Sequence, residues 1–167
     1  MNLTPLGAQV AQQGPPERRT VGQSLISLVP PKPITAYVNN GICYDTVAYV
    51  RFLLGANIAP NDLLNVNGQL WAPRFNAGGM LWHGAGITAG TAVLFRRPGT
   101  NQPFHVAISL GGLKVRGVNG NNLGAGWTPV GDCNLSTQLT CVPPGQYNNL
   151  KCGPGPGDVC NVWLSSL

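Results

Sequence analysis

Residues 104–110, FHVAISL, alternate apolar with small or polar side chains, and this period of two constrains the fold more than any other stretch. In an extended strand Phe104, Val106, Ile108 and Leu110 point to one face, and His105, Ala107 and Ser109 to the other. Upstream, TAVLF reads as a second strand. The connection RRPGTNQP carries turn chemistry in Pro98-Gly99 and Asn101. After Gly111-Gly112, LKVRGVN reads as a third strand, so the pattern predicts an antiparallel meander. Composition closes off the main alternatives. The 167 residues include 23 Gly and 15 Pro, and only 9% are charged, which breaks helix interiors too often for a bundle or a coiled coil. An apolar content of 43% is too high for a disordered chain. No apolar run reaches the roughly 18 residues of a membrane helix, so no integral membrane segment is expected.

The strongest helix signal is ICYDTVAYVRFLLG. Asn39 and Asn40 offer cap oxygens, Asp45 falls in the first turn and Gly55 marks the stop. Cys43, Val47, Val50 and Leu54 make one stripe, which places Cys43 at the N-terminal end of a buried helix. A further short helix is expected from Pro60-Asn61, followed by a Gly-rich loop packed by Trp71, Met80 and Trp82. Residues 1–33, rich in Gln, Pro and Gly, read as a flexible arm or linker. Residues 34–167 read as a single α+β domain of catalytic type, with its core over 36–119 and a tail over 120–167.

The tail contains Cys133, Cys141, Cys152 and Cys160, two local pairs with the same spacing. Two disulfides stapling the tail fit this pattern. A zinc site fits less well, since the intervals are not those of ribbons or fingers and no His is near, and reduced thiols remain a third reading. No metal or cofactor is expected. Disulfides would imply an oxidising destination. The N-terminus MNLTPLGAQVAQQGPPERR has neither the basic nor the apolar region of a cleavable secretory signal. The expectation is therefore a protein secreted or delivered into a target cell by another route. The net charge of +5 is scattered, with no basic run interleaved with aromatics, and no nucleic-acid partner is expected.

A thiol at a helix start meets free backbone N–H groups and the positive end of the dipole, both of which favour the thiolate. The same N–H groups suit a tetrahedral oxyanion. His105, on a strand face whose other members are small, supplies a base, and Asn119 on the following strand is a candidate to orient the imidazole. A thiol starting a helix, then a strand His, then a polar residue on the next strand is the papain order.

CYDTVAYVRFLLG resembles the nucleophile helix of NlpC-type, papain-like cysteine peptidases. GTAVLFRRPGTNQPFHVAISLGG resembles their central strand pair. The resemblance spans residues 36–119. It implies that Cys43 is the nucleophile, that His105 is the base and that Tyr37 is an oxyanion donor. Two departures stand out. Tyr44-Asp45 follows the Cys where the family has Ser-Gly, and the position of the family's third polar residue is Gly117, so Asn119 takes that role by strand parity. The implied activity is amide-bond hydrolysis or acyl transfer on a peptidoglycan stem peptide or a host protein. The implied setting is an exported effector or toxin with a possible immunity partner.

His83 and Trp82, in a Gly-rich loop, are candidates to line a substrate cleft. The competing expectation from another class is a non-enzymatic, disulfide-stapled binding module that recognises glycan or protein through such loops.

Overall fold

The computed structural model describes residues 43–59, 62, 68–100, 102–127, 129–141 and 145–167. The N-terminal arm, Tyr37, the cap residues Asn39 and Asn40 and the Pro60-Asn61 helix start lie outside the described residues. Helices α1 (Cys43–Leu53) and α2 (Gly68–Asn76) come first. Strands β1 (Met80–Leu81), β2 (Ala92–Arg96), β3 (Pro103–Gly111), β4 (Lys114–Arg116) and β5 (Cys133–Asn134) follow. A one-turn helix α3 (Leu135–Gln138) precedes β6 (Thr140–Cys141), β7 (Leu150–Lys151) and β8 (Val159–Leu164). The class is mixed α+β, as the pattern predicts, with every named strand pairing antiparallel.

The strand order is β5-β4-β3-β2-β8-β7-β6, with β1 also pairing with β8. Strands β5 to β8, from the 120–167 stretch, thus belong to one sheet with β2 to β4. The sheet's central position next to β2 belongs to β8, and Val93 pairs with Leu164 and Phe95 with Val162. Strand pairing, rather than sulfur, ties the tail down: all five cysteines are free thiols.

Alternation on the strands creates two cores, one on each face of the sheet. On one face Ala92, Leu94, Val106 and Ile108 pack against Val47, Ala48 and Val50 of α1 and Trp71 and Phe75 of α2. On the other, Val93, Phe95, Ala107 and Val115 pack against Leu135, Leu150, Cys133, Cys160 and Val162. Helix α1 forms where its stripe predicts, with Asp45 in the first turn and Arg51 in the last, each complementing the dipole. Arg51 also anchors the helix to its surroundings: Nη1 donates to the Gly90 carbonyl at 2.8 Å and Nε to the Leu167 carbonyl at 2.8 Å.

Two local expectations need correction. Met80 does not pack the Gly-rich loop; it is 65% exposed, because the two-residue β1 turns it outward from its pairing with Leu164. Phe104 does not share the face of Val106 and Ile108. The ladder steps from Phe95↔His105 to Arg96↔Pro103, so Phe104 is the extra residue of a β-bulge and its ring is turned to the surface. Arg97 lies over that ring at 5.3 Å.

Candidate active site around His105

The bulge that displaces Phe104 leaves His105 on the second face, as alternation requires. Its ring lies 5.5 Å from Phe95 and is buried. Beyond the Ile108↔Arg116 pair, β4 ends, and residues 117–124 fold over the imidazole instead of extending the ladder. This wrapping demands glycine: a methyl group at Gly120 would overlap the ring, and one at Gly117 would stand 3.3 Å from Nε2. Asn119 and Asn121 take left-handed φ values of 56° and 52°, which Asn tolerates better than most residues. Trp127, at φ 51°, is a bulky residue held in that region by its burial and by its N–H donating to the Gly117 carbonyl at 3.0 Å.

His105 Nε2 lies 3.1 Å from the Leu123 carbonyl. A carbonyl only accepts, so Nε2 carries the proton and Nδ1 keeps its lone pair. Burial holds the imidazole pKa down to about 4, against the partial opposing effect of the Leu123 contact. The ring is thus a neutral base of fixed tautomer. The orienting group is a backbone carbonyl, which no side-chain motif reveals. Asn119 lines the same cleft as His105, but Leu123 holds Nε2.

The cleft has a volume of about 620 Å³ and is bounded by Arg97 and Phe104 on one side, Asn119 to Leu123 on another, and the 152–159 hairpin on the third. Cys152 and Asp158 stand on that hairpin wall, and the sequence pattern placed neither of them beside His105. Loop closure puts them there: the Cys152 N–H donates to the Asp158 carbonyl at 2.9 Å, and the Gly155 N–H to Asp158 Oδ2 at 2.7 Å.

Cys43 lies in the helix-side core, 8% exposed. Backbone hydrogen bonds at Val106, Tyr44 and Cys43 itself favour its thiolate, as a helix start should. Burial outweighs them and, with Asp45 nearby, pushes the thiol pKa up, which corrects the expectation of a lowered value. Cys43 packs in the same core as Val106, the residue next to His105 on β3, and the β3–β4 ladder does not extend to that residue. Cys43 and His105 nevertheless occupy opposite faces, and no hydrogen bond joins them among the described residues.

Trp82 and His83 are not brought to this cleft. Trp82 is buried, its indole N–H donating to the Ala85 carbonyl at 2.8 Å and its ring meeting Tyr147 edge-on at 5.4 Å, so it offers no open platform. His83 is exposed and stacks edge-on against the same Tyr147 at 5.9 Å. Among the described residues no cluster of three or more His, Cys, Asp or Glu is placed to hold a metal ion, and no helix is long and apolar enough to cross a membrane. No family model and no curated protein matches the chain.

Proposed function

We propose that this protein is a papain-like cysteine hydrolase or acyltransferase acting on an amide bond, with Cys43 as nucleophile and His105 as base. One observation carries the reading: a helix-start thiol shares the helix-side core with Val106, next in the chain to a neutral imidazole whose Nε2–H is held by the Leu123 carbonyl. In the reaction the thiol proton passes to Nδ1 and the sulfur attacks the carbonyl carbon. The N–H groups at the start of α1 receive the oxyanion, and His105 then returns the proton to the leaving amine. Water or an acceptor amine releases the acyl group. Because the two groups rest on opposite faces, the reaction requires the start of α1 to move across the open β3 edge. The substrate class follows from the family resemblance, a peptidoglycan stem peptide or a host protein. So do the setting of a delivered bacterial effector and the possible immunity partner.

Expression of the chain in periplasm or cytosol, with growth and amide cleavage as readouts, tests this. Cys43→Ser should lower cleavage by about 10³-fold or more at nearly unchanged melting temperature, His105→Gln should lower it as far in protein that is still folded, and the double variant should be scarcely worse than either single one. Near-native cleavage by both single variants, or loss only in proportion to unfolding, would overturn the assignment.

The opposite-face placement favours a second reading, a binding module that uses the His105 cleft without chemistry. In that case Cys43→Ser leaves function intact, whereas Phe104→Ala at the cleft mouth weakens ligand retention.

A further inference from the structure

Cys152 and Cys160 lie on the same face of the β7–β8 hairpin root in one core cluster, Cys160 paired across from Leu150 and Cys152 two residues beyond Leu150, with Cys152 lining the His105 cleft and Cys160 fully buried on β8. We propose that these two sulfurs form a thiol–disulfide exchange site, in which Cys152 attacks low-molecular-weight disulfides entering the cleft and Cys160 resolves the adduct. The assignment is independent of the Cys43–His105 chemistry.

Three features argue for it. The first is asymmetry: one sulfur stands at a cleft wall and its partner is sealed behind it, the order that attack followed by resolution needs. The second is support from the surroundings. The Cys152 sulfur donates to the Asp158 carbonyl at 3.4 Å, and its backbone N–H is fixed by the same carbonyl, so the hairpin holds it in place. Its contact with Cys160 lowers the Cys152 pKa, helped by Arg97 across the cleft and opposed by burial and Asp158, while Cys160 is raised by the same contact and by burial. The third is contrast. Cys133, also on this side of the sheet, is buried beside Asp132 with its pKa raised to about 11, and it does not line the cleft.

The exchange balances without any other oxidant. The Cys152 thiolate attacks one sulfur of RS–SR′, forming a Cys152–SR bond and expelling R′S⁻. The Cys160 thiolate then attacks the Cys152 sulfur, forming the Cys152–Cys160 bond and expelling RS⁻. Two electrons pass from the protein to the small disulfide, and the two protons lost by the cysteines end on RSH and R′SH. The bond formed closes the hairpin that makes one wall of the His105 cleft.

The test is incubation of the folded full chain with oxidised glutathione, acid quenching and peptide mass mapping. The wild type should give a Cys152–Cys160 disulfide, and Cys160→Ser should stop at one glutathione on Cys152. Cys133→Ser should behave as wild type. In the wild type, brief alkylation should label Cys152 at least about tenfold faster than Cys133, a readout that needs no substitution. Equal labelling of the two, a Cys133–Cys160 disulfide, or a folded Cys160→Ser protein that leaves Cys152 unmodified would overturn the proposal.

Discussion

The two faces of the sheet are built from the same strands but by different means. The helix face is closed by two helices that supply Val47, Val50, Trp71 and Phe75 to a dry apolar core. The opposite face is closed by strands of two or three residues, a one-turn helix and loops, and its core mixes Phe95, Leu135 and Leu150 with three cysteines. That face also carries the cleft, which opens beside His105. The contrast teaches that a helix stabilises a whole face through one continuous contact, whereas short strands do so piecemeal and leave room for a site.

The comparison breaks most sharply at the largest buried side chain. Trp71→Ala removes a fully buried indole from the helix face and should cost about 3–5 kcal/mol, lowering the denaturation midpoint of the whole domain with its slope unchanged. Leu150→Ala on the far face should cost about 2–4 kcal/mol. Hydrogen exchange should then show faster opening confined to β6, β7 and the 152–158 loop, with α1 still protected. Exchange spreading equally to α1 would show that the two faces unfold as one unit. The third test is a matter of pH. His105 is held at about 4 against an ordinary 6.5, so between these values the unfolded chain binds the extra proton. The His105 contribution is therefore intact above pH 6.5 and is lost as pH falls toward 4, with a slope of at most about 1.4 kcal/mol per pH unit. His105→Gln should flatten the urea stability curve across that window; an unchanged acid slope would place the titrating group elsewhere.

What the sequence made legible follows the same division. β2 and β3 were readable because alternation runs through FHVAISL and turn residues separate the strands, and α1 because one stripe persists for three turns. The tail strands β5, β6 and β7 have two residues each, too few to carry any period. β8 was hidden for a different reason. It is VCNVWL, with Cys160, Asn161 and Val162 buried in succession, so its polar residue breaks an apolar run rather than marking a solvent face. Asn161 is accommodated by donating to the Asn148 carbonyl and accepting from the Trp163 indole. α2 begins at Gly68 and contains Pro73, two signals that argue against a helix, and burial of Trp71 and Phe75 overrides them.

The site divides likewise. Alternation correctly groups His105 with Ala107, but it does not say on which of the two faces a helix will dock. α1 chose the face of Val106 and Ile108, and this choice separates Cys43 from the imidazole. Cys152 reaches the cleft only through closure of the KCGPGPGD loop, whose geometry depends on hydrogen bonds to Asp158 rather than on any spacing in the chain.

The central place of β8 bears on how the chain comes to be folded. The β2–β3 hairpin can pair as soon as it is made, because its contacts are local. The other edge of β2, from Val93 to Arg96, must wait until β8 has emerged from the ribosome. During that interval AVLFR offers an unpaired, apolar row of backbone donors and acceptors, the kind of edge on which nascent chains join one another. Until β8 docks, this edge of β2 is therefore open to pairing with another chain.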